Sequence, residues 1–401
     1  MRLREIKPPP CSECGSDPVG HSAAYFTVAV DGFLNRLVFE GRMRHVFARQ
    51  MRRIENTLLP RLYEVLARRG LGEFLDEPDD KTMLLAAVLW KEAAARGILM
   101  REFRLFGLPR NMFVARLPSG RALSFEGFPF PDEAGANPAW LNNKAELKKR
   151  FQKAGFPVAR GAAAFTERGA CAVFRELEAP VIVKPHVGSA SRHTTLHIGD
   201  ESALLRAFQT AKQVSPFAVV EEELSGRVYR ATVVGGRFAA ALRRDEPHII
   251  GDGVHAVGEL VRAANGHSAR QGPYFSHIDA SSPEALEELS RQRMDHTSVP
   301  RAGQRVSFHQ KVNWSLGGTT ADVTDDAHSD NIKLFEDIAA FLATPLVGID
   351  FIIEDIGRSW REAERCGVIE CNDMPFFDNH HLPFEGEPRN VAGAIWDLAA
   401  A

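Results

Sequence analysis

The sequence predicts an α+β fold of more than one domain, on three observations. Its 401 residues are 44% apolar and 25% charged, an ordinary globular balance with chain enough for two or three cores. Short β-branched runs alternate with amphipathic helical stretches through the last two-thirds of the chain. Two of those runs, Arg227–Val234 and Arg237–Leu242, are separated only by Gly235-Gly236, the signal of a tight hairpin. The formal net charge of −3 gives no global argument for nucleic acid. The longest apolar runs fall well short of the ~20 residues that span a bilayer. MRLREIKPPPCSECG at the start has no apolar segment of the kind a secretory signal needs, so the expectation is a cytoplasmic protein without membrane or nucleic-acid partners.

Five cysteines, odd in number and scattered (Cys11, Cys14, Cys171, Cys366, Cys371), give no disulfide framework. Cys11-Ser-Glu-Cys14 has zinc-knuckle spacing, but no second CxxC or paired histidine follows it. The expectation is a reduced pair in a proline-flanked terminus.

Phe47, Met51, Ile54, Leu58, Leu62 and Val65 recur at three- and four-residue steps, which predicts an amphipathic helix with a kink near Pro60. From Arg36 to Arg69 there are nine arginines against three glutamates, read as a solvated basic face. A helix over Lys81–Arg96 stops at Gly97, and a strand at Ile98–Phe106 precedes a hairpin through Phe113–Leu117 and Ala122–Phe128. Pro129–Pro138 reads as a linker, so 1–137 is expected to form an N-terminal domain. Strands follow at Pro180–Lys184, Phe217–Glu221, Arg305–His309, Val347–Ile353 and Gly367–Cys371. Helices are expected at Ser202–Lys212, Asp330–Leu342 and Val391–Leu398, with two more inside a polar segment from Gly251 to Gln304.

Chemistry concentrates after Pro138. Asp350 opens an apolar strand, and Glu370 and Asn372 share one face of another. If the two strands pair antiparallel, three hard oxygen ligands converge, a set that suits Mg²⁺ together with phosphates. Taken alone they could equally be polar residues at strand ends. Lys184 ends an apolar strand, where a cation needs a partner such as a phosphate. Lys144 opens a helix, where a cation works against the helix dipole. Gly188, Ser189 and Arg192 lie in a small-residue loop suited to phosphate oxygens. The segment Glu221, Glu222, Glu223, Leu224 follows an apolar strand and offers backbone groups to an adenine edge. Ser315, Gly317, Gly318 and Thr319 combine hydroxyls and accessible amides, the composition of an anion nest for a carboxylate or acyl phosphate.

In this order and spacing, Asn143-Lys144, Val183-Lys184-Pro185, Val220-Glu221-Glu222, Gly348-Ile-Asp350 and Ile369-Glu370-Cys-Asn372 resemble an ATP-grasp enzyme. Within that superfamily the likeness is to the ATP-grasp part of cyanophycin synthetases and of bifunctional glutathione synthetases. It is carried by Ile250–His255, Val299–Gly303, Ser315–Asp325 and His380–Arg389, and extends from about Asn137 onward. The resemblance implies an ATP-grasp fold of two α/β lobes, 138–216 and 217–401, with a polar insertion near 251–304. It implies ATP and Mg²⁺ as cofactors. Lys144 and Lys184 would hold the phosphates, Glu221 to Leu224 the adenine, and Asp350, Glu370 and Asn372 the metal. Arg244 would lie near the transferring phosphoryl group, and Ser315–Thr319 would receive the acyl substrate. The implied reaction joins a small-molecule carboxylate to an amine, on amino acids or small peptides, through an acyl phosphate. Related enzymes are often dimers or tetramers, so a homo-oligomer is compatible with the resemblance.

Four positions depart from the pattern: Ser191 and His193 stand where glycines are expected, Val228 where a ribose contact is usually acidic, and Phe376 where glycine follows Pro375. They keep open a nucleotide- or partner-binding protein without catalysis, and a kinase of the same fold is a third reading. The chain as given has no GxxxxGK[ST], so one ligation per catalytic cycle is the expectation.

Overall fold

The computed structural model describes residues 11, 20–27, 42–131, 137–138, 140–141, 143–187, 192–272, 275–310, 312 and 316–401, with backbone alone for 42–48. Four sheets organise it. An antiparallel meander β1-β2-β3-β4 is built from Gly72–Leu75, Leu99–Leu105, Leu108–Arg116 and Ala122–Glu126. A second sheet, in the order β5-β8-β6-β7, uses Gly161–Ala164, Ala218–Glu222, Val181–Pro185 and Thr195–Ile198. The third and largest has the order β13-β10-β9-β14-β15, from Thr319–Asp322, Arg237–Asp245, Arg227–Val234, Leu346–Ile353 and Gly367–Asn372. A two-stranded ladder, β11 (His248–Ile250) with β12 (Arg305–Ser307), brackets the polar insertion.

Most expected elements form where the periodicity placed them, including helices Val257–Asn265 and Pro283–Arg291 in the insertion. That insertion packs a core of its own around Ile249, Val261, Leu289 and Phe308. The sequence reading passed over β1, β5, β7 and β13, whose four residues each are too few for a period-2 pattern to register. The helix Arg42–Arg68 runs through Pro60. Its apolar stripe does not face the meander: Met51, Ile54, Leu58, Leu62 and Val65 are all exposed. The helix instead docks through Tyr63, which stacks on Phe103, and through Asn56, whose Oδ1 accepts the Ser124 backbone N–H at 2.7 Å. The pattern identified a helix but not the side that packs.

Residues on both sides of the expected boundary at 137/138 share one core. Leu89, Trp90, Phe113 and Leu123 pack with Val234, Leu346, Phe377, Ile395 and Trp396. The Trp396 indole, fully buried, donates to the Leu89 carbonyl at 3.0 Å. The meander is thereby fixed against the back of the five-stranded sheet. Among the described residues, no helix is long and apolar enough to cross a membrane.

Candidate active site

The antiparallel pairing on which the expected convergence of three oxygen side chains depends is present. Strands β14 and β15 pair antiparallel, with Asp350 opposite Glu370 and Gly348 opposite Asn372. Glu370 and Asn372 therefore share a face beside Asp350. Cys371, between them, turns into the core, where burial and then the two neighbouring carboxylates push its thiol pKa well up. It stays protonated and is no nucleophile.

On the other side of β14, Asp350 lies in register with Arg230 of β9. The Arg230 guanidinium grips the carboxylate with both Nε and Nη2, the latter at 2.9 Å from Oδ2. Arg244 of β10 approaches the same carboxylate less closely, at 3.4 and 3.5 Å. Burial works against the charge of Asp350, but Arg230 and then Arg244 outweigh it and hold its pKa below the usual range. Gly348 makes this packing feasible, since a Cβ there would lie 2.8 Å from Arg230 Nη1 and 2.7 Å from Pro375.

The second sheet supplies the lysines. Lys184, on β6, donates to Glu221 Oε1 at 2.7 Å, and Lys148 pairs with Oε2 of the same carboxylate. All three side chains are buried. Burial lowers the Lys184 pKa, the neighbouring Lys144 adds to that, and Glu370 opposes it. Lys144 begins the helix Lys144–Ala154, which Asn143 caps by accepting the Ala145 and Glu146 amides. The Lys144 backbone N–H reaches the His186 carbonyl at 3.0 Å, tying this helix start to the segment after Lys184. Burial lowers the Lys144 pKa, while Glu370 and Asp350 raise it, so its ammonium senses both acids across the cleft.

The remaining expected residues separate into four groups. Gly317, Gly318 and Thr319 are buried and lead into β13, where Thr320 pairs with Arg244. Gly317 has a φ of 95°, and a Cβ on it would strike Ile278, so this turn needs its glycine. Glu222 and Glu223 spend their side chains on Arg160 and on His197, the latter at 2.8 Å. Arg192 follows the small-residue loop and is half-buried. Gly188, Ser189 and Ser315 lie outside the described residues.

Two residues at the centre, Arg230 and Lys148, were not singled out in the sequence. Arg230 alternates with Val228 on a strand whose register could not be known, and Lys148 sits one helical turn after Lys144, a spacing that could have flagged it. A concavity of about 650 Å³ lies elsewhere. It opens on the insertion between Glu259, Arg262, Asp279 and His296, and no residue of the lysine, arginine and acid cluster lines it.

The fold is that of ATP-grasp proteins, and the chain is related to that superfamily. A crystal structure of a bifunctional glutathione synthetase from Pasteurella multocida superposes with a TM-score of 0.60 at 24% identity, over 80% of this chain and 43% of that one. In sequence, a cyanophycin synthetase of Trichormus variabilis is 33% identical over 224 residues, 55% of this chain and 24% of that protein. A glutathione biosynthesis bifunctional protein of Mannheimia succiniciproducens is 29% identical over 277 residues, 65% of this chain and 36% of that protein. The chain thus spans only about a quarter to a third of the length of these relatives. No family model matches it.

Proposed function

We propose that the chain is an ATP-dependent carboxylate–amine ligase that forms an amide bond through an acyl phosphate. The observation that carries the reading is the register of Asp350 opposite Glu370, with Asn372 alongside, facing a ring of buried or half-buried cations. Five cations, Lys144, Lys148, Lys184, Arg230 and Arg244, gather around three acids, Glu221, Asp350 and Glu370. A site with that surplus fits a polyanion, and its two carboxylates and one carboxamide fit a hard divalent cation bridging the polyanion. Asp350, Glu370 and Asn372 would hold Mg²⁺, while Lys144 and Lys184 would neutralise ATP phosphates. Bound Mg-ATP would supply a γ-phosphoryl group to a substrate carboxylate, activating it for attack by an amine.

The protein's own contributions follow from the geometry. Arg230, with two contacts to its carboxylate, would orient Asp350 and favour its ionised form. Arg244 meets the same carboxylate at longer range and would face developing phosphoryl charge, while Arg230 alone grips Asp350 closely. The buried Lys148–Glu221–Lys184 set fixes the Lys184 ammonium in place before any ligand arrives. The names of the relatives support small amino-acid-derived substrates.

The test is ADP release from Mg-ATP in the presence of pooled amino acids and dipeptides. At least one pool should stimulate release, and Asp350→Asn should abolish the stimulation. If ATP binds and no pool of carboxylate and amine stimulates turnover, the ligase reading fails.

A further inference from the structure

Cys11 lies 182 residues from His193 in sequence, yet its Sγ sits 4.0 Å from His193 Nε2. His21 completes the group, its ring edge-on to that of His193 with centroids 4.7 Å apart. One ligand atom from each of the three falls within 4.8 Å of the others. The two partners come from the N-terminal part of the chain, and His193 from the stretch between β6 and β7.

His193 is prepared for more than packing. It is fully buried, and its Nδ1 lies 2.9 Å from the Thr210 carbonyl in helix Glu201–Lys212. A carbonyl only accepts, so Nδ1 carries the proton and Nε2, aimed at Cys11, keeps its lone pair. This is the arrangement by which metal-bound histidines are oriented and their tautomer fixed. The backbone of His193 has a φ of 52°, a left-handed conformation that a bulky side chain seldom adopts unless something else fixes it.

We propose that Cys11, His21 and His193 form a structural zinc site that fastens the N-terminal segment to the first ATP-grasp lobe. One thiolate and two imidazoles are a borderline-soft set, which selects zinc over the Mg²⁺ suited to the oxygen cluster at Asp350. The separations exceed those around a tetrahedral zinc by well under the reach of a side-chain rotation. The sequence reading weighed Cys11 together with Cys14, at zinc-knuckle spacing. Cys14 lies outside the described residues. The sequence reading set this motif aside for want of paired histidines nearby. One of them is seven residues from Cys14, and the other comes from a distant loop.

The site adjoins the nucleotide lobe without belonging to its machinery. His193 follows Arg192 directly, on the far side of the small-residue loop from Lys184. A metal there would set where that loop ends.

The experiment is zinc content by elemental analysis of tag-free protein, for the wild type, Cys11→Ser, His21→Ala and the double variant. About one zinc per chain is expected in the wild type. At least a tenfold fall is expected in the double variant, with an unchanged circular dichroism spectrum. Cobalt exchanged into the wild type should show a thiolate charge-transfer band that Cys11→Ser lacks. Wild-type protein free of zinc after growth and reconstitution in zinc would overturn the proposal. So would equal zinc in wild type and double variant, because the metal would then be held elsewhere. Both variants alter half-buried residues of the N-terminal segment, so the test does not depend on a His193 variant that folds.

Discussion

Two carboxylates, in two different sheets, each sit between two cations, and the choice of cation separates them. Glu221 lies between Lys148 and Lys184 in the smaller sheet, and Asp350 between Arg230 and Arg244 in the larger one. All the acids and lysines concerned are buried. A lysine taken out of water can shed its proton, whereas a guanidinium keeps its charge under any condition a protein survives. The lysine set can therefore relax when its acid is lost, and the arginine set cannot. The acid expected to hold metal is the one whose neighbours stay positive, which keeps it ionised and oriented.

The largest effect should follow Asp350→Asn, which strands two permanent charges. We expect a stability loss of about 3–5 kcal/mol in urea unfolding, and at least a hundredfold loss of substrate-stimulated ADP release on the scale of other electrostatic knockouts. A loss no greater than that of the lysine set would break the comparison. Glu221→Gln should cost about 1–3 kcal/mol at pH 7, and the loss should shrink as pH rises. In the folded protein the Lys184 pKa is down to about 7 through burial, against an ordinary 10.5. Between those values the unfolded chain holds a proton that the folded chain has shed, so stability climbs with pH across that window. Removing Glu221 lowers the lysines further, so the difference between variant and wild type lies below and around pH 7 and should close once both folded forms hold the lysine neutral.

Gly348→Ala sharpens the comparison from another side, since its methyl group would press on Arg230 and Pro375 while leaving every charge in place. A cost of about 1–3 kcal/mol is expected from the crowding, with ADP release reduced more than nucleotide binding measured by titration calorimetry. Glu222→Gln should do least. Its partner Arg160 is largely exposed, so the change should stay within about 0.5 kcal/mol. A large effect there would mean that exposure does not separate these pairs.

How much of this was legible in the sequence depends on how local each signal is. Asp350, Glu370 and Asn372 could be read because a strand's period of two puts the last pair on one face, and one antiparallel pairing does the rest. Arg230 could not, because its meaning rests on its position opposite Asp350, 120 residues away. The helix Arg42–Arg68 shows the reverse failure. Its three-to-four spacing was real, yet the stripe it marks faces outward, because periodicity reports a side of a helix and not what lies against it. Glu221 was read as part of an adenine contact, and its side chain proves to be occupied by two lysines, one of them unforeseen. In each case the pattern named the element, and long-range register decided the role.

The contact between Trp396 and Leu89 spans 307 residues. The meander formed by residues 72–126 completes its core only against the helix Val391–Ala400, so that part of its packing waits on a segment made much later. Until then the parts of Leu89, Trp90 and Phe113 that meet Ile395 and Trp396 lack that cover. Yield in the cell should therefore track chaperone supply and translation speed more closely than the stability of the finished protein.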